Sequence, residues 1–135
     1  MIYQAGTGIY GALVAAGVNG GSAIYVLQAP TGATYPYIVI SPITSLEDDS
    51  DSVDLRREIW QVKVIATSPS AADTIERAIR DVLHYGTFSA GTAWNLVWCH
   101  AENAFMYPEM VNDKLVIHAG SSYRVLLNAK SSHSS

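Results

Sequence analysis

The stretch from Tyr35 to Leu83 constrains the fold more than any other part of the chain. It holds a short apolar run at residues 37–41, an acidic connection, an alternating run at residues 58–66 and an amphipathic segment. A period of two predicts a half-buried strand, whereas a period near 3.6 predicts a helix. The sequence therefore predicts two antiparallel strands with a long acidic connection between them and a helix after the second strand.

The helix after the alternating run has a clear start. Ser68 is a favourable N-cap, and Pro69 suits the first helical turn. Apolar residues then follow at helical spacing: Ala72, Ile75, Ile79, Val82 and Leu83. We predict that this helix ends at Gly86.

The other predicted elements are shorter or less regular. The sequence predicts a short helix over residues 7–18 and strands over residues 24–27, 94–99, 115–119 and 123–129, the last two separated by Gly120-Ser121-Ser122. Residues 42–55 lack periodicity and are predicted to form an exposed, mobile connection. Residues 101–113 match no element clearly.

These elements predict an α+β fold, with one long and one short helix packed on a mostly antiparallel sheet that carries a long acidic hairpin loop. A chain of 135 residues most simply forms one domain. We expect that domain to span residues 1–129, followed by a disordered polar tail at residues 130–135.

The charges are few and unevenly placed. Charged residues make up 15% of the chain and hydrophobic residues 49%, which indicates either surface buried in an oligomer or a well-filled small core. The formal net charge is −4, and five of the twelve acidic residues lie together: Glu47, Asp48, Asp49, Asp51 and Asp54. No basic patch is present, which argues against nucleic acid as a direct ligand.

Residues 47–54, called the acidic segment below, allow several interpretations. A calcium-loop template finds Asp49, Asp51 and Glu58 at ligand positions, but Ser52 stands where the template needs glycine. We therefore expect no metal site, and favour a solvated hairpin tip combined with an electrostatic docking surface. Two arginines follow and could pair locally or bridge to a neighbouring subunit. The candidate interface residues are thus Glu47, Asp48, Asp49, Asp51, Asp54, Arg56 and Arg57.

No catalytic or cofactor motif stands out. Residues 6–11 fit G-x-G-x-x-G, but neither the preceding strand nor the following acidic residue that a dinucleotide site needs is present, so a small-residue helix start is favoured. Cys99 and His100 are adjacent on a predicted strand and point to opposite faces. We expect Trp60, Trp94 and Trp98 to pack in the core or in a subunit interface. The sequence predicts no catalysis and no cofactor.

Two segments carry a resemblance to a known family. Residues 29–40 read APTGATYPYIVI, residues 60–68 read WQVKVIATS, and the helix at residues 71–83 follows. This arrangement resembles the tail completion, or tail terminator, proteins of long-tailed bacteriophages, also called head–tail joining proteins. The resemblance covers residues 9–83 well and the remainder loosely.

The resemblance implies a virion protein of the tail or neck, assembled in the host cytoplasm, with no enzymatic activity. Its copies would form a ring, typically a hexamer, that caps the tail tube, stops its growth and docks on the head connector or stopper. DNA would pass through the lumen without specific binding. No apolar run reaches the roughly 18 residues of a membrane helix, so no membrane partner is expected. Another neck or minor tail protein is the alternative, and a small metal- or ligand-binding domain using the acidic segment is the alternative from another class.

Overall fold

The strands of this protein form one sheet, and its helices pack on a single face of that sheet. The computed structural model describes residues 4–49 and 54–130, with side chains described for residues 4–45 and 55–130. Within those ranges the elements are α1 Gly6–Ala15, a 3₁₀ turn Val18–Gly21, β1 Ile24–Val26, β2 Tyr37–Asp49, β3 Asp54–Ala66, α2 Pro69–Leu83, β4 Trp94–Val111 and β5 Lys114–Ala129.

The strand order is β1-β2-β3-β5-β4. The short β1 runs parallel to β2, and each of the other neighbouring pairs is antiparallel. Side chains of α1 and α2 pack with those of the sheet in one apolar core, for example Ile9 and Ile79 with Val62. We call this side of the sheet the helix face and the other side the open face. The predicted α+β class is confirmed.

Both predicted helices are present, although α2 ends at Leu83 rather than at Gly86 and α1 ends at Ala15 rather than at residue 18. Oγ of Ser68 accepts a hydrogen bond from the backbone N–H of Ala71 at 3.2 Å, and proline occupies the first turn of α2. Ile79 and Leu83 of α2 are buried, as are Ile9 and Leu13 of α1. Neither helix within the described ranges has the length and apolarity that a membrane span requires.

The predicted connection at residues 42–55 is wrong in its bounds. β2 continues to Asp49 and β3 begins at Asp54, with Pro42 opposite Trp60. A bulge between Pro42 and Thr44 interrupts the register, which explains the missing alternation. β3 pairs with β5 on its other side, so backbone hydrogen bonds extend the sheet through a polar segment. Residues 50–53, including Asp51, lie outside the described residues.

The predicted break at Gly120-Ser121-Ser122 is wrong too, since β5 passes through it unbroken. A Cβ on Gly120 would come 2.2 Å from the carbonyl oxygen of Val62, so the strand needs glycine for close approach. Ser121 is buried beneath α2, where its hydroxyl bonds to Glu76 at 2.8 Å and Arg80 at 2.9 Å. The small polar residues therefore serve packing rather than a turn.

β4 extends over most of the segment that the sequence left unassigned and contains two bulges, one at Leu96/Trp98 and one at Ala101/Ala104. The first bulge changes which side chains face the core. Leu96 lies opposite Leu127 on the helix face, but Trp98 lies opposite Leu126 on the open face. Trp98 therefore lies on the opposite face from Leu96 although it stands only two residues further along the strand. The single domain over residues 1–129 stays a prediction, and residues 131–135 lie outside the described ones.

Candidate assembly site

A buried carboxylate anchors the start of α1 to the sheet. Glu58 is fully buried on the helix face of β3. Its carboxylate accepts backbone hydrogen bonds from Gln4 at 2.6 Å and from Ala5 at 2.9 Å, immediately before α1 begins. Because a buried charge is costly unless it is paired and hydrogen-bonded, these donors are part of what keeps Glu58 in the core. The chain entering α1 is held against β3 as a result.

Side chains from the same strand complete the anchor. Nε of Arg56 donates to Glu58 at 3.0 Å, and Nε1 of Trp60 donates to it at 2.8 Å. The guanidinium of Arg56 also lies over the ring of Trp94, 5.6 Å from its centroid. Arg56 is only 5% exposed. The structure thus pairs this candidate interface residue with a carboxylate of its own subunit.

Sequence reasoning considered Glu58 only as a calcium ligand and did not select it as a site residue. The signal was present, since Glu58 stands in phase with Trp60, Val62 and Val64 on the apolar face of an alternating strand. The observed hydrogen bonds commit its carboxylate internally. Among the described residues, no three His, Cys, Asp or Glu side chains cluster closely enough to hold a metal ion.

The acidic segment lies at one end of the sheet. Glu47 is opposite Arg56, Asp48 is opposite Leu55, and Asp49 is opposite Asp54. The neighbouring candidate Arg57 is exposed and alternates to the open face, opposite Leu126 of β5. Strand pairing therefore brings Glu47, Asp48, Asp49 and Asp54 to the end of the β2–β3 hairpin. Arg56 and Arg57 follow on β3, Arg56 on the helix face and Arg57 on the open face.

An apolar groove opens beside the anchor on the helix face. It has a volume of about 920 Å³ and is lined by the first turns of α1, the end of β1, Pro42, Trp60 and residues 87–91. None of the described residues that line it is charged. We call it the apolar groove.

The glycine pattern at residues 6–11 shapes the wall of this groove. A Cβ on Gly6 would come 2.5 Å from the ring of Trp60, and a Cβ on Gly8 would come 1.9 Å from the carbonyl oxygen of Ser89. α1 begins at Gly6, and no strand within the described residues leads into it. The predicted small-residue helix start is confirmed, and its glycines allow α1 to approach its neighbours closely.

A second apolar surface lies at the far end of the β4–β5 hairpin. Met106, Met110 and Leu115 are 50%, 64% and 49% exposed. Pairing places Met110 opposite Leu115 and Met106 opposite Ala119, so the three side chains share the helix face of the sheet beyond the core. We call Met106, Met110 and Leu115 the arm patch.

Cys99 and His84, residue types that are common in catalytic sites, have structural roles here. Cys99 is buried, and burial raises the pKa of its thiol to about 12, which keeps it protonated near neutral pH. Nδ1 of His84 accepts the backbone N–H of Ala101 at 2.9 Å. Trp60 packs in the core, as predicted.

Comparison with solved structures identifies the fold. A chain from the "Virion of native gene transfer agent (GTA) particle" aligns with a TM-score of 0.72 and 18% sequence identity, over 90% of this chain and 92% of that chain. This likeness shows a shared fold. A second solved chain aligns over 76% of this chain and 77% of its own, at 12% identity and a TM-score of 0.46, which is too weak to support an argument. No curated protein sequence matches this chain.

The family follows from the sequence match. The profile of the family described as "Tail completion protein gp17" matches residues 8–124. Since the match spans most of the chain, the protein belongs to the tail completion protein gp17 family. The resemblance predicted from residues 29–40 and 60–68 is confirmed, and so is the expected location in the tail or neck of a phage-type virion. It is a structural tail protein.

Proposed function

We propose that this protein is a ring-forming tail terminator that caps the tail tube and joins it to the head connector. The family match over residues 8–124 carries the proposal. The shared fold with a chain of a phage-like gene transfer agent virion supports it. The ring, taken as a hexamer from the resemblance, stops tube growth by covering the end to which the next tube subunit adds.

The exposed surfaces of the subunit support ring formation. A ring of identical subunits needs a heterologous interface, in which two different surfaces of the same chain meet. This chain carries the apolar groove and the arm patch at different places; the described lining of the groove is uncharged, and the arm patch consists of exposed apolar side chains. Exposed apolar surface of this kind is typical of protein interfaces.

The acidic segment, together with the exposed Arg57, is proposed as the surface that meets a partner or the channel, whereas Arg56 is buried and bonded to Glu58. In a hexamer its five acidic residues would form an annulus of about thirty carboxylates. An annulus facing the lumen repels DNA phosphates and lets DNA slide past. An annulus facing along the axis instead docks a basic surface on the tube or the connector.

Electron microscopy of particles that lack the protein tests the terminator role. We expect tails of abnormal, variable length, because nothing stops tube polymerisation. Tails of normal length that are not attached to heads would instead indicate a joining protein of the neck. Complementation with the wild-type protein is the control, and it should restore both length and attachment.

A charge-neutral variant tests the acidic segment. Glu47→Gln combined with Asp48→Asn, Asp49→Asn, Asp51→Asn and Asp54→Asn removes the charge of all five acidic residues while keeping side-chain size. If the segment docks a partner, rings of this variant should lose binding to tubes or connectors. If it lines the channel, binding should persist and DNA ejection should slow. A variant that behaves like the wild type in both assays would contradict the assignment.

We also infer that the protein works without catalysis or a cofactor. The buried, protonated Cys99 and the internally bonded Glu58 support this inference, because neither is available to a substrate. Calorimetric titration with calcium tests the metal-binding alternative. We expect no heat of calcium binding, whereas saturable binding at one site per chain would support that alternative.

A further inference from the structure

The two apolar surfaces lie too far apart to cover each other within one subunit. The apolar groove contains Trp60, which lies opposite Tyr123, and the arm patch contains Leu115, eight residues earlier on β5. At about 3.3 Å per residue, the two surfaces are roughly 26 Å apart along the strands. The end of β1 and Pro42 of β2 line the groove, whereas the arm patch lies on β4 and β5 at the opposite edge of the sheet. Within the described part of the chain, neither surface therefore covers the other.

The charge distribution matches the two surfaces to each other. Glu109 and Lys114 lie in the same hairpin as the arm patch, but strand alternation places both on the open face, opposite Val116 and Val111. At the Met110 and Leu115 end the two strands place no charge on this face, whereas Met106 lines a small pocket with Asp73 and Glu76 of α2. The groove is free of charge among its described lining residues. The acidic segment is a poor occupant of such a groove, because burying unpaired carboxylates is costly.

Shape and chemistry also agree. The groove is concave, and its volume falls in the range of roughly 300–1,000 Å³ that holds a sizeable apolar group. The arm patch presents two methionines, whose flexible side chains fill irregular apolar spaces well. Leu27, at the rim of the groove, is 65% exposed and available to contact an incoming side chain.

We infer that the arm patch of one subunit sits in the apolar groove of the next copy of this chain. The contact is head-to-tail, so it leaves one free groove and one free arm on every open oligomer until the ring closes. This inference rests on the proposed ring and specifies the surfaces that build it.

Two single variants test the interface. Met110→Glu places a charge in the arm patch, and Leu27→Glu places one at the rim of the groove. Each should raise the apparent dissociation constant of the ring by at least about tenfold, seen as monomer by light scattering coupled to size exclusion. Tyr85→Glu is the matched control, since Tyr85 is 71% exposed and belongs to neither surface. Circular dichroism confirms that all three variants fold.

Mixing the two variants gives a result that only a head-to-tail contact produces. The intact arm patch of the Leu27→Glu chain can enter the intact groove of the Met110→Glu chain. The arm patch of Met110→Glu and the groove of Leu27→Glu both carry the introduced charge and cannot pair. An equimolar mixture should therefore yield a 1:1 heterodimer and no ring. A mixture that stays monomeric although each variant is folded would overturn the inference.

Cysteine cross-linking provides a second readout. Met110→Cys and Leu27→Cys chains should cross-link when mixed, and neither should cross-link alone; native Cys99 is buried and should not react. Cross-linking of Met110→Cys alone would show a symmetric contact and overturn the inference. If both glutamate variants still form rings as the wild type does, this interface is wrong, but the proposed ring stands. A wild-type chain that stays monomeric at every concentration would overturn the ring itself, and the interface with it.

Discussion

The carboxylate of Glu58 lies 3.0 Å from Nε of Arg56, and both side chains are buried on the helix face of β3. The same carboxylate receives the backbone N–H groups of Gln4 and Ala5. Glu58 thus joins β3, the strand that follows the acidic segment, to the chain entering α1, and α1 in turn forms a wall of the apolar groove. Loss of this contact should disturb the groove as well as the stability of the fold.

Glu58→Ala should lower the free energy of unfolding by about 3–5 kcal/mol, because it removes one partner of a buried ion pair. Urea denaturation measures the change. The double variant Arg56→Met with Glu58→Met should recover only the part of the loss that comes from the unpaired guanidinium, because the N–H groups of Gln4, Ala5 and Trp60 still lose their acceptor. A Glu58→Ala loss below about 1 kcal/mol would show that the carboxylate is not an anchor.

Gly8→Ala should destabilise the protein, whereas Gly11→Ala in the same helix should not. The new methyl group at position 8 meets the carbonyl oxygen of Ser89, but nothing lies within 4 Å of the corresponding position at Gly11. Alanine is favoured over glycine in a helix by roughly 0.5–1 kcal/mol, so Gly11→Ala should raise the melting temperature. Calorimetry compares the two, and equal shifts would contradict the close approach of α1 to residues 87–91.

Ser68→Ala should cost about 1 kcal/mol, because Oγ of Ser68 caps α2 by accepting the N–H of Ala71. Ser70→Ala is the matched control, since it changes the same side chain two residues later, inside the first turn. It should be neutral or slightly stabilising, as alanine has the higher helix propensity. Chemical denaturation of both variants checks this prediction. Equal losses would indicate that the cap contributes nothing.

The stability of the protein should fall in alkaline solution because of Cys99. Its ordinary thiol pKa of 9.0 is raised to about 12 in the folded state by burial. The unfolded chain therefore loses this proton first, and the contribution to stability, complete below pH 9, is lost as the pH rises from about 9 to 12. Cys99→Ala should show a shallower decline of unfolding free energy over that range. An identical pH slope in both proteins would contradict the assignment.

Hydrophobic periodicity was sufficient to predict the elements whose side chains alternate between core and solvent. The helical spacing from Ala72 to Leu83 and the strand at residues 58–66 are visible in the sequence because burial imposes their period directly. The same segments carried the family resemblance. Composition and charge also located the acidic segment, since five clustered acidic residues need no structure to be recognised.

The remaining strands could not be predicted from periodicity. A bulge after Pro42 interrupts β2, and residues 101–111 of β4 are largely exposed and follow a bulge, so these strands carry no regular side-chain pattern. Backbone pairing with a neighbouring strand makes them β-structure, and that partner is distant in the sequence. The bulge before Trp98 likewise reverses its face through a backbone irregularity that side-chain chemistry does not announce.

By itself, the sequence determined the helices, the central strand, the clustered charge and the family of this protein, because these depend on residues close together in the chain. Only the tertiary structure decided the rest. It turned Glu58 from a conceivable metal ligand into a buried anchor, the glycines at residues 6–11 into a packing surface, and scattered apolar residues into a groove and an arm patch. The physical reason is that each of these features is made by residues brought together from distant strands, where burial and hydrogen-bond partners are set by the fold.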